Sequence, residues 1–532
     1  IAPGTGAVGA HTAGTLEINA AALDNTGGSV AFIFNGAADH DVLVFNSAVT
    51  GTTALVTGAA GGVSIDGAGV VNGAEIDMGA LIQSTAAGTL VLATRNLAFG
   101  GSPDDPTLAG RYTAADNTLR IRRDIGLLPG LRDALFASGF TEALNKINDG
   151  VGTGAAPADE LLWRALTATG AGETPDAARL VTALSPAALA SLTALPLEHA
   201  RAASAALRDR LDARRATASA QAAPGNEAYL HFTAGWLDNK HGLHAPVFDL
   251  ETTALTLGGH RAFGEKHNRL AGLALALHTG DADFHDAAGR ARQTSTRLTA
   301  YLATCIQKTD ATGAGGAPKF FADLALSAGF SDYDTTRLAR GGAGFDAAAT
   351  AATRGNDLAA ALRAGFEDRL NDAWGWDLWV ALDYARARVR GFDERGAGDA
   401  GTDAALAAAL GAGAALRVAS FSQDSLLLRA GATLRWTPAI AGKRPLRLAL
   451  RAVCDGEWLD DGETARISAR FLTGAGDDFR VDAAAQPSLL RLQIGPAAEF
   501  ALNARTALFA SCTYETAARR AHRAAAGISA RW

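Results

Sequence analysis

The sequence predicts an all-β protein with a helical linker: the end of a right-handed β-solenoid, followed by a twelve-stranded antiparallel outer-membrane β-barrel with an α-helix in its pore. Three observations carry this expectation. Residues 1–121 are short apolar runs cut by Gly, Asn and Asp, and residues 122–225 switch to helical spacing. Residues 226–532 alternate large apolar with small or polar residues at period two, in about twelve segments of about ten residues or more.

Composition bounds what such a chain can do. At 532 residues it is long for one core, so two or three domains are expected. Gly is common at 60 residues and apolar residues reach 48%, which suits a glycine-punctuated β protein that folds. A net charge of −7 leaves no basic footprint, so nucleic acid is not an expected partner. The abundance of Ala and Arg reads first as codon bias. Cys305, Cys454 and Cys512 are far apart, without metal-ligand or disulfide spacing, and no cofactor is implied. No run of about 18 uncharged apolar residues occurs, which excludes a helical membrane span and leaves a β-barrel open. The chain begins Ile1-Ala-Pro-Gly4 without Met or a signal-peptide pattern, so it is expected to be a piece of a longer protein.

In the first part, Thr15–Asn19, Val30–Phe34, Asp41–Phe45, Thr89–Ala93 and Thr118–Ile121 read as short strands. Asn35-Gly36, Asp66-Gly67 and Asn72-Gly73 suit tight hairpins, but the longer gaps between most runs favour stacked solenoid rungs. In the linker, Leu127, Leu131 and Leu135, then residues 177–184, mark helical patches. Ser185-Pro186 is a helix start, and Pro196 is expected to open a last helix that runs to about Arg215. Leu197, Ala200, Ala203, Leu207 and Leu211 share one side of it, while Arg201, Arg208, Asp209 and Asp212 lie elsewhere. A slim, Ala-rich, charged rod of this kind suits a polar pore.

Among the alternating segments, Leu273, Leu275 and Leu277 oppose Gly272, Ala274 and Ala276; Leu378, Val380 and Leu382 oppose Asp377, Trp379 and Asp383; Leu446, Leu448 and Leu450 oppose Arg447 and Arg451. A soluble sandwich can alternate in the same way, so no single strand decides. The even number of segments does. So do the connections, which run long near 239–247, 281–291, 335–355, 389–423 and 458–488 and short near 264–268, 370–372, 438–444 and 503–504, with 308–317 less short and only the last outer turn, near 516–519, against the rule. Trp236, Trp374, Trp436, Tyr514 and Trp532 stand at segment ends, where an interfacial girdle needs them. An even count puts both barrel termini on one side, the periplasm, so a chain leading outward must cross inside the barrel. Asp323, Arg363, Asp377, Asp383, Arg429, Arg451, Arg491 and Glu499 are then lumenal charges, expected to pair with those of the helix.

These residues resemble the classical monomeric autotransporters of type V secretion over nearly the whole chain. Gly14–Ile18, Gly28–Phe32 and Asp41–Phe45 look like the terminal unit of such passengers. Leu446–Glu457, Phe471–Phe479, Leu490–Phe500, Ala507–Glu515 and Gly527–Trp532 follow the order of the family's last strands. The resemblance implies an outer-membrane anchor that exports its own N-terminal passenger to the cell surface. It also implies a final strand, with Ile528, Ala530 and Trp532 on one face, that is read by the barrel-assembly machinery. Outer-membrane lipid, that machinery and periplasmic chaperones would be the partners of a monomer. Two other readings stay open: a passive pore or adhesin anchor without active export, and a soluble β-helical enzyme or adhesin.

Other patterns are weaker. Gly4–Gly9 fits GxGxxG with Asp24 beyond it, but lacks the flanking strand and helix. Asp281, Asp283, His285 and Asp286 cluster without the spacing of a calcium loop. His231 and His278 fall on the lumenal face, and no GxSxG or HExxH occurs, so no enzyme is expected. Pro496 is an oddity inside a strand.

Overall fold

A computed structural model describes residues 14–18, 23–25, 30–45, 55–57, 63–66, 74–84, 108–113, 118–123 and 185–218. From 226 onward it describes all but 240–247, 265–268, 286–288, 308–318, 342–344, 372, 400–414, 439–445, 460–463, 473–477, 485–489, 504 and 517–519. The GxGxxG segment, the run at 89–93, Asp286 and the helical patches at 127–135 and 177–184 lie outside the described residues. The chain forms two compact units: 1–133 with 144–177 and 473–476, and 134–143 with 178–472 and 477–532.

The first unit is built on parallel pairing. Thr15–Ile18, Leu23–Asn25 and Val30–Gly36 pair in parallel with Val42–Phe45, Leu55–Thr57 and Val63–Asp66 respectively, and Val42–Phe45 continues onto Ile82–Ser84. Phe32, Leu43 and Ile82 are buried between these strands. Asn35-Gly36 does reverse the chain locally, with Phe34 opposite His40 in an antiparallel bridge. Leu108–Thr113 and Thr118–Arg123 form a hairpin that pairs with Glu75–Asp77, so strand structure runs two residues past the expected boundary at 121.

Twelve strands form the barrel of the second unit: β1 Glu227–Asn239, β2 Phe248–Phe263, β3 Arg269–Phe284, β4 Gly289–Gln307, β5 Lys319–Gly341, β6 Phe345–Arg369, β7 Trp374–Val389, β8 Phe421–Trp436, β9 Leu446–Glu457, β10 Arg491–Ala501, β11 Thr506–Thr516 and β12 Arg520–Arg531. Each pairs antiparallel with its neighbour, and β12 returns to β1 with Glu227 opposite Arg531 and Asp238 opposite Arg520. The seam ends in a reciprocal backbone pair, Asn226 N to Trp532 O at 3.1 Å and Trp532 N to Asn226 O at 3.2 Å. Closure leaves no ladder edge facing lipid, where an unpaired N–H or C=O would find no water.

Which face is apolar separates a barrel from a sandwich, and here it is the outer one. Leu257, Leu273 and Leu277 are 59%, 59% and 55% exposed, and Leu298, Leu326, Leu362 and Val380 continue the band around the wall. Residues of opposite parity on the wall strands, such as His231, Arg297, Asp377 and Arg429, are buried on the inside. A contiguous apolar exterior on this scale needs hydrocarbon around it. Trp374 and Trp436 stack with centroids 5.9 Å apart at the end that holds the termini, and Trp236 and Tyr514 stand exposed near the opposite rim.

The expected alternation of long and short connections is only partly present. β3 ends at Phe284 and β4 begins at Gly289, while β5 and β6 run 23 and 25 residues and leave only 342–344 between them. Strand residues beyond the lipid band are free to be polar, so the apolar alternation stops there while the ladder continues. Arg395–Asp399 joins this extension as a third strand on β6. The stretches near 389–423 and 458–488 likewise hold a four-stranded sheet, in the order Phe392–Asp393, Leu416–Val418, Thr464–Phe471, Phe479–Ala484. In that sheet Arg417 donates to both carboxylate oxygens of Asp393 at 2.8 Å, which holds the carboxyl below its ordinary range.

Pro496 sits on the lipid side of β10, opposite Leu450 of β9. The ladder to β11 skips Gly495 and Pro496, and a Cβ on Gly495 would meet the Cys512 carbonyl oxygen at 2.0 Å. The strand therefore spends its missing donor where two backbones already approach closely.

Two measurements test this wall. Leu275→Arg places a charge on the lipid face, at a cost of about 2–4 kcal/mol; the folded, heat-modifiable band in the outer-membrane fraction should fall sharply, and an unchanged band would show that Leu275 does not face lipid. At Gly431 a Cβ would lie 2.3 Å from Trp379 Cζ2, so Gly431→Val should lower thermal stability by about 1–3 kcal/mol, read as a drop in the temperature of band conversion.

Candidate functional site: the helix-filled lumen

The lumen is occupied by one rod. Pro186–Ala190 is a 3-10 turn, and it runs directly into α1, Ser191–Ala218. Ser185 caps the turn, its Oγ accepting from Ala187 N at 3.2 Å. The expectation of a helix over about 196–215 opened by Pro196 is corrected: Pro196 lies inside the helix, in its second turn. An interior proline lacks one helical N–H and crowds the carbonyl four residues before it, and here neighbouring contacts hold the turn. Thr193 Oγ1 donates to the Ala190 carbonyl at 3.0 Å, and Arg297 of β4 donates to the Pro196 carbonyl at 3.3 Å.

At 1.5 Å per residue, the 28 residues of α1 span about 42 Å, enough to pass the hydrocarbon core. The turn at 186–190 packs on the four-stranded sheet at the rim away from the termini. The other end of the helix reaches the terminus-bearing end, where Arg210 pairs with Glu227 at the start of β1 and bonds Ser529 of β12 at 2.9 Å. Small residues Ala202, Ala203, Ser204, Ala205 and Ala206 keep the middle narrow. Ala is also the best helix former, which suits a rod that must hold its shape among polar walls.

Two kinds of contact hold the rod. Near the turn they are mostly uncharged: Thr193 bonds Gln423 of β8 at 2.7 Å, Leu197 and Ala200 pack on Ala385 and Ala387 of β7, and His199 stacks on His278 of β3 with centroids 4.6 Å apart. The charged set begins with Glu198, 3.8 Å from Arg523 of β12, and continues with Arg201, which bonds Ser425 at 3.1 Å with Glu457 at 3.7 Å. Below it, successive residues turn by about 100° and reach different walls. Arg208 pairs with Asp383 of β7, and Asp209 with Arg451 of β9 and Ser511 of β11. Asp212 meets Arg363 of β6 at 3.0 Å, and Arg215 meets Asp323 of β5 at 2.8 Å. Arg215 also lies 4.0 Å from the Phe321 ring centroid and Arg210 5.1 Å from that of Phe509.

Four lumenal residues singled out by pattern therefore touch helix charges: Asp323, Arg363, Asp383 and Arg451. The other four pair within the wall. Arg429 lies 3.1 Å from Asp383, Arg491 2.6 Å from Asp455, Asp377 against Arg435, and Glu499 3.4 Å from Arg531. Period alone places a residue on the inner face, but not at the height or azimuth where the helix reaches it. Several participants were missed: Glu227, Asp455, Glu457, Arg435, and the buried pairs Arg297–Asp357 and Arg337–Glu394. Apart from Glu394, which lies between two short strands, their parity on the strands was the available signal.

His231 is buried in the wall beside Phe509. Of the loop cluster, Asp281 pairs with Arg292 at 2.7 Å and His285 with Asp249 at 3.1 Å, so these acids serve neighbouring side chains. Among the described residues no group of three or more His, Cys, Asp or Glu could hold a metal.

A closed barrel of twelve strands with an apolar exterior and a charged, helix-filled lumen defines the protein as an outer-membrane β-barrel. The profile of the autotransporter beta-domain family matches residues 228–513, more than half of the chain. The chain belongs to the autotransporter family, and its barrel is an outer-membrane translocator domain, a transport element and not an enzyme. Among solved structures it is similar to the translocator domain of the autotransporter NalP from Neisseria meningitidis, at 16% identity and a TM-score of 0.41 over 62% of this chain and 98% of that one. It is also similar to the beta domain of the Bordetella autotransporter BrkA, at 16% identity and a TM-score of 0.38 over 57% and 98%. A third is the transport unit of AIDA-I from Escherichia coli, at 11% and 0.37 over 58% and 91%. No curated protein matches the sequence.

Because the helix is clamped from several walls, single losses are buffered while joint losses are not. Replacing Arg208, Asp212 and Arg215 together by Ala should raise single-channel conductance in planar bilayers several-fold towards that of an unfilled barrel. Arg491→Gln, which alters the wall pair with Asp455, should leave conductance near the starting value. Equal conductance of the two variants would show that these contacts do not hold the helix in place.

Proposed function

We propose that the barrel exports and displays the chain that precedes it, remaining in the outer membrane as its anchor. The observation that supports this reading is the course of the chain at the lumen. It enters as the 186–190 turn at the rim away from the barrel termini and leaves as α1 beside Glu227 and Trp532. With the termini in the periplasm, everything before residue 186 would be delivered to the outer side. The parallel ladders of the first unit support its reading as the end of a β-solenoid passenger, in which each rung buries its apolar face on the one before and folding outside needs no ATP.

The remaining partners follow from that role. Trp532, 64% exposed, shares the outer face of β12 with Ile528 and Ala530. An exposed aromatic edge at the chain end would be the feature that barrel-assembly machinery recognises, after periplasmic chaperones have kept the strands apart. The mature protein would be a monomer, since its wall is closed on itself.

Protease added to intact cells tests the orientation. Expressed with its upstream sequence and a signal peptide, the protein should lose residues before 186 to external protease while the barrel survives. Protection of the N-terminal part in cells whose barrel is folded would refute export. Ile528→Asp together with removal of Trp532 should cut the folded barrel several-fold, without a change in synthesis.

A further inference from the structure

The lipid-facing band of β6 and β7 ends abruptly in arginine. On β7 the outward residues Val380, Leu382 and Tyr384 are followed by Arg386, Arg388 and Arg390, all exposed. On β6, Leu358 is followed towards the same rim by Asn356 and Arg354, also exposed. Register joins them: Arg386 lies opposite Leu358 and Arg388 opposite Asn356, and Arg390 N bonds the Arg354 carbonyl at 2.8 Å. Four guanidinium groups thus share one patch of the outer wall, just above the apolar band.

Neighbouring acids answer only part of this charge. Arg354 pairs with Asp332 at 3.0 Å, and Arg386 lies 3.9 Å from Asp424, which also accepts from the Tyr384 hydroxyl at 2.6 Å. Arg388 and Arg390 have no carboxylate partner among the described residues. Elsewhere on the rim the balance differs. On β3 and β4, Asp281 and Asp283 stand opposite Arg292 and Arg290 in register. With the apolar band in hydrocarbon, an outward residue just above it would have lipid headgroups as well as water for neighbours. Arg is matched to phosphate by its planar fork of donors, which donates to two oxygens at once.

We propose that Arg354, Arg386, Arg388 and Arg390 form a docking site for the phosphorylated headgroup of a glycolipid in the outer leaflet, with its acyl chains along Leu358, Val380 and Leu382. The leaflet rests on the orientation proposed above; the headgroup chemistry does not. The site would fix one lipid beside the tallest strands of the barrel and set how deep that side sits in the membrane.

Native mass spectrometry of the full chain in a neutral detergent tests the site independently of orientation. The probes are a bis-phosphorylated acylated diglucosamine lipid and the same lipid without phosphates. One phosphorylated lipid per chain should be retained, and the dephosphorylated form should not. Arg388→Gln with Arg390→Gln should weaken retention roughly 30-fold, while Arg290→Gln with Arg292→Gln should change it little. Heat-modifiable migration verifies that each variant is folded. Equal retention of both lipids, or unchanged retention by the Arg388/Arg390 variant, overturns the site. Equally tight binding of inorganic phosphate alone would overturn the lipid as its occupant.

Discussion

Closure of the backbone ladder is the constraint on which everything else rests. In hydrocarbon no solvent is available to an unpaired amide, so twelve strands are stable only as a cylinder whose last strand meets its first. Once the cylinder closes, the two faces of every strand lie in different solvents. Leu257 and Leu273 can then stand outward where a soluble protein would hide them, and Arg297 and Arg363 can be held inside among their partners.

The lumen follows from the same division. A polar interior wide enough for a helix would also be wide enough to leak, and the charged rod resolves this by matching the wall side chain for side chain. Breaking one partner of an enclosed pair strands the other charge, which is where such pairs exert their largest effect. Here several wall carboxylates have a second cation in reach, as Asp383 has Arg208 and Arg429, and Asp323 has Arg215 and Arg363. The arrangement fixes the azimuth of the helix more than any one contact does. The upper contacts of Thr193, Leu197, His199 and Ala200, which are uncharged, complete the hold at the other mouth.

Much of this was legible in the sequence, and the limits are physical. Period-two alternation located the wall because lipid enforces it residue by residue, as at Leu273 to Leu277. The extensions of β5 and β6 and the four-stranded sheet were invisible for the converse reason: beyond the membrane no solvent asymmetry writes a pattern, and Ala347–Ala352 reads as easily as a loop. The inward parity of Asp377, Arg491 and Glu499 was readable, but their partners depend on strand shear and helix rotation, which no local pattern carries. Pro196 misled because a proline usually marks a first turn; the rod continues through it where the mouth buries the preceding turn.

The reciprocal amide pair between Asn226 and Trp532 has a consequence for the whole wall. The cylinder cannot shut without its twelfth strand, so a wall that lacks β12 is left with two unpaired edges, on β1 and on β11. A rod gripped from β5, β6, β7, β9 and β1 is far easier to wrap than to thread. The one seam of the wall, between β1 and β12, is therefore also its clasp: with it open, the groove around the rod is open as well.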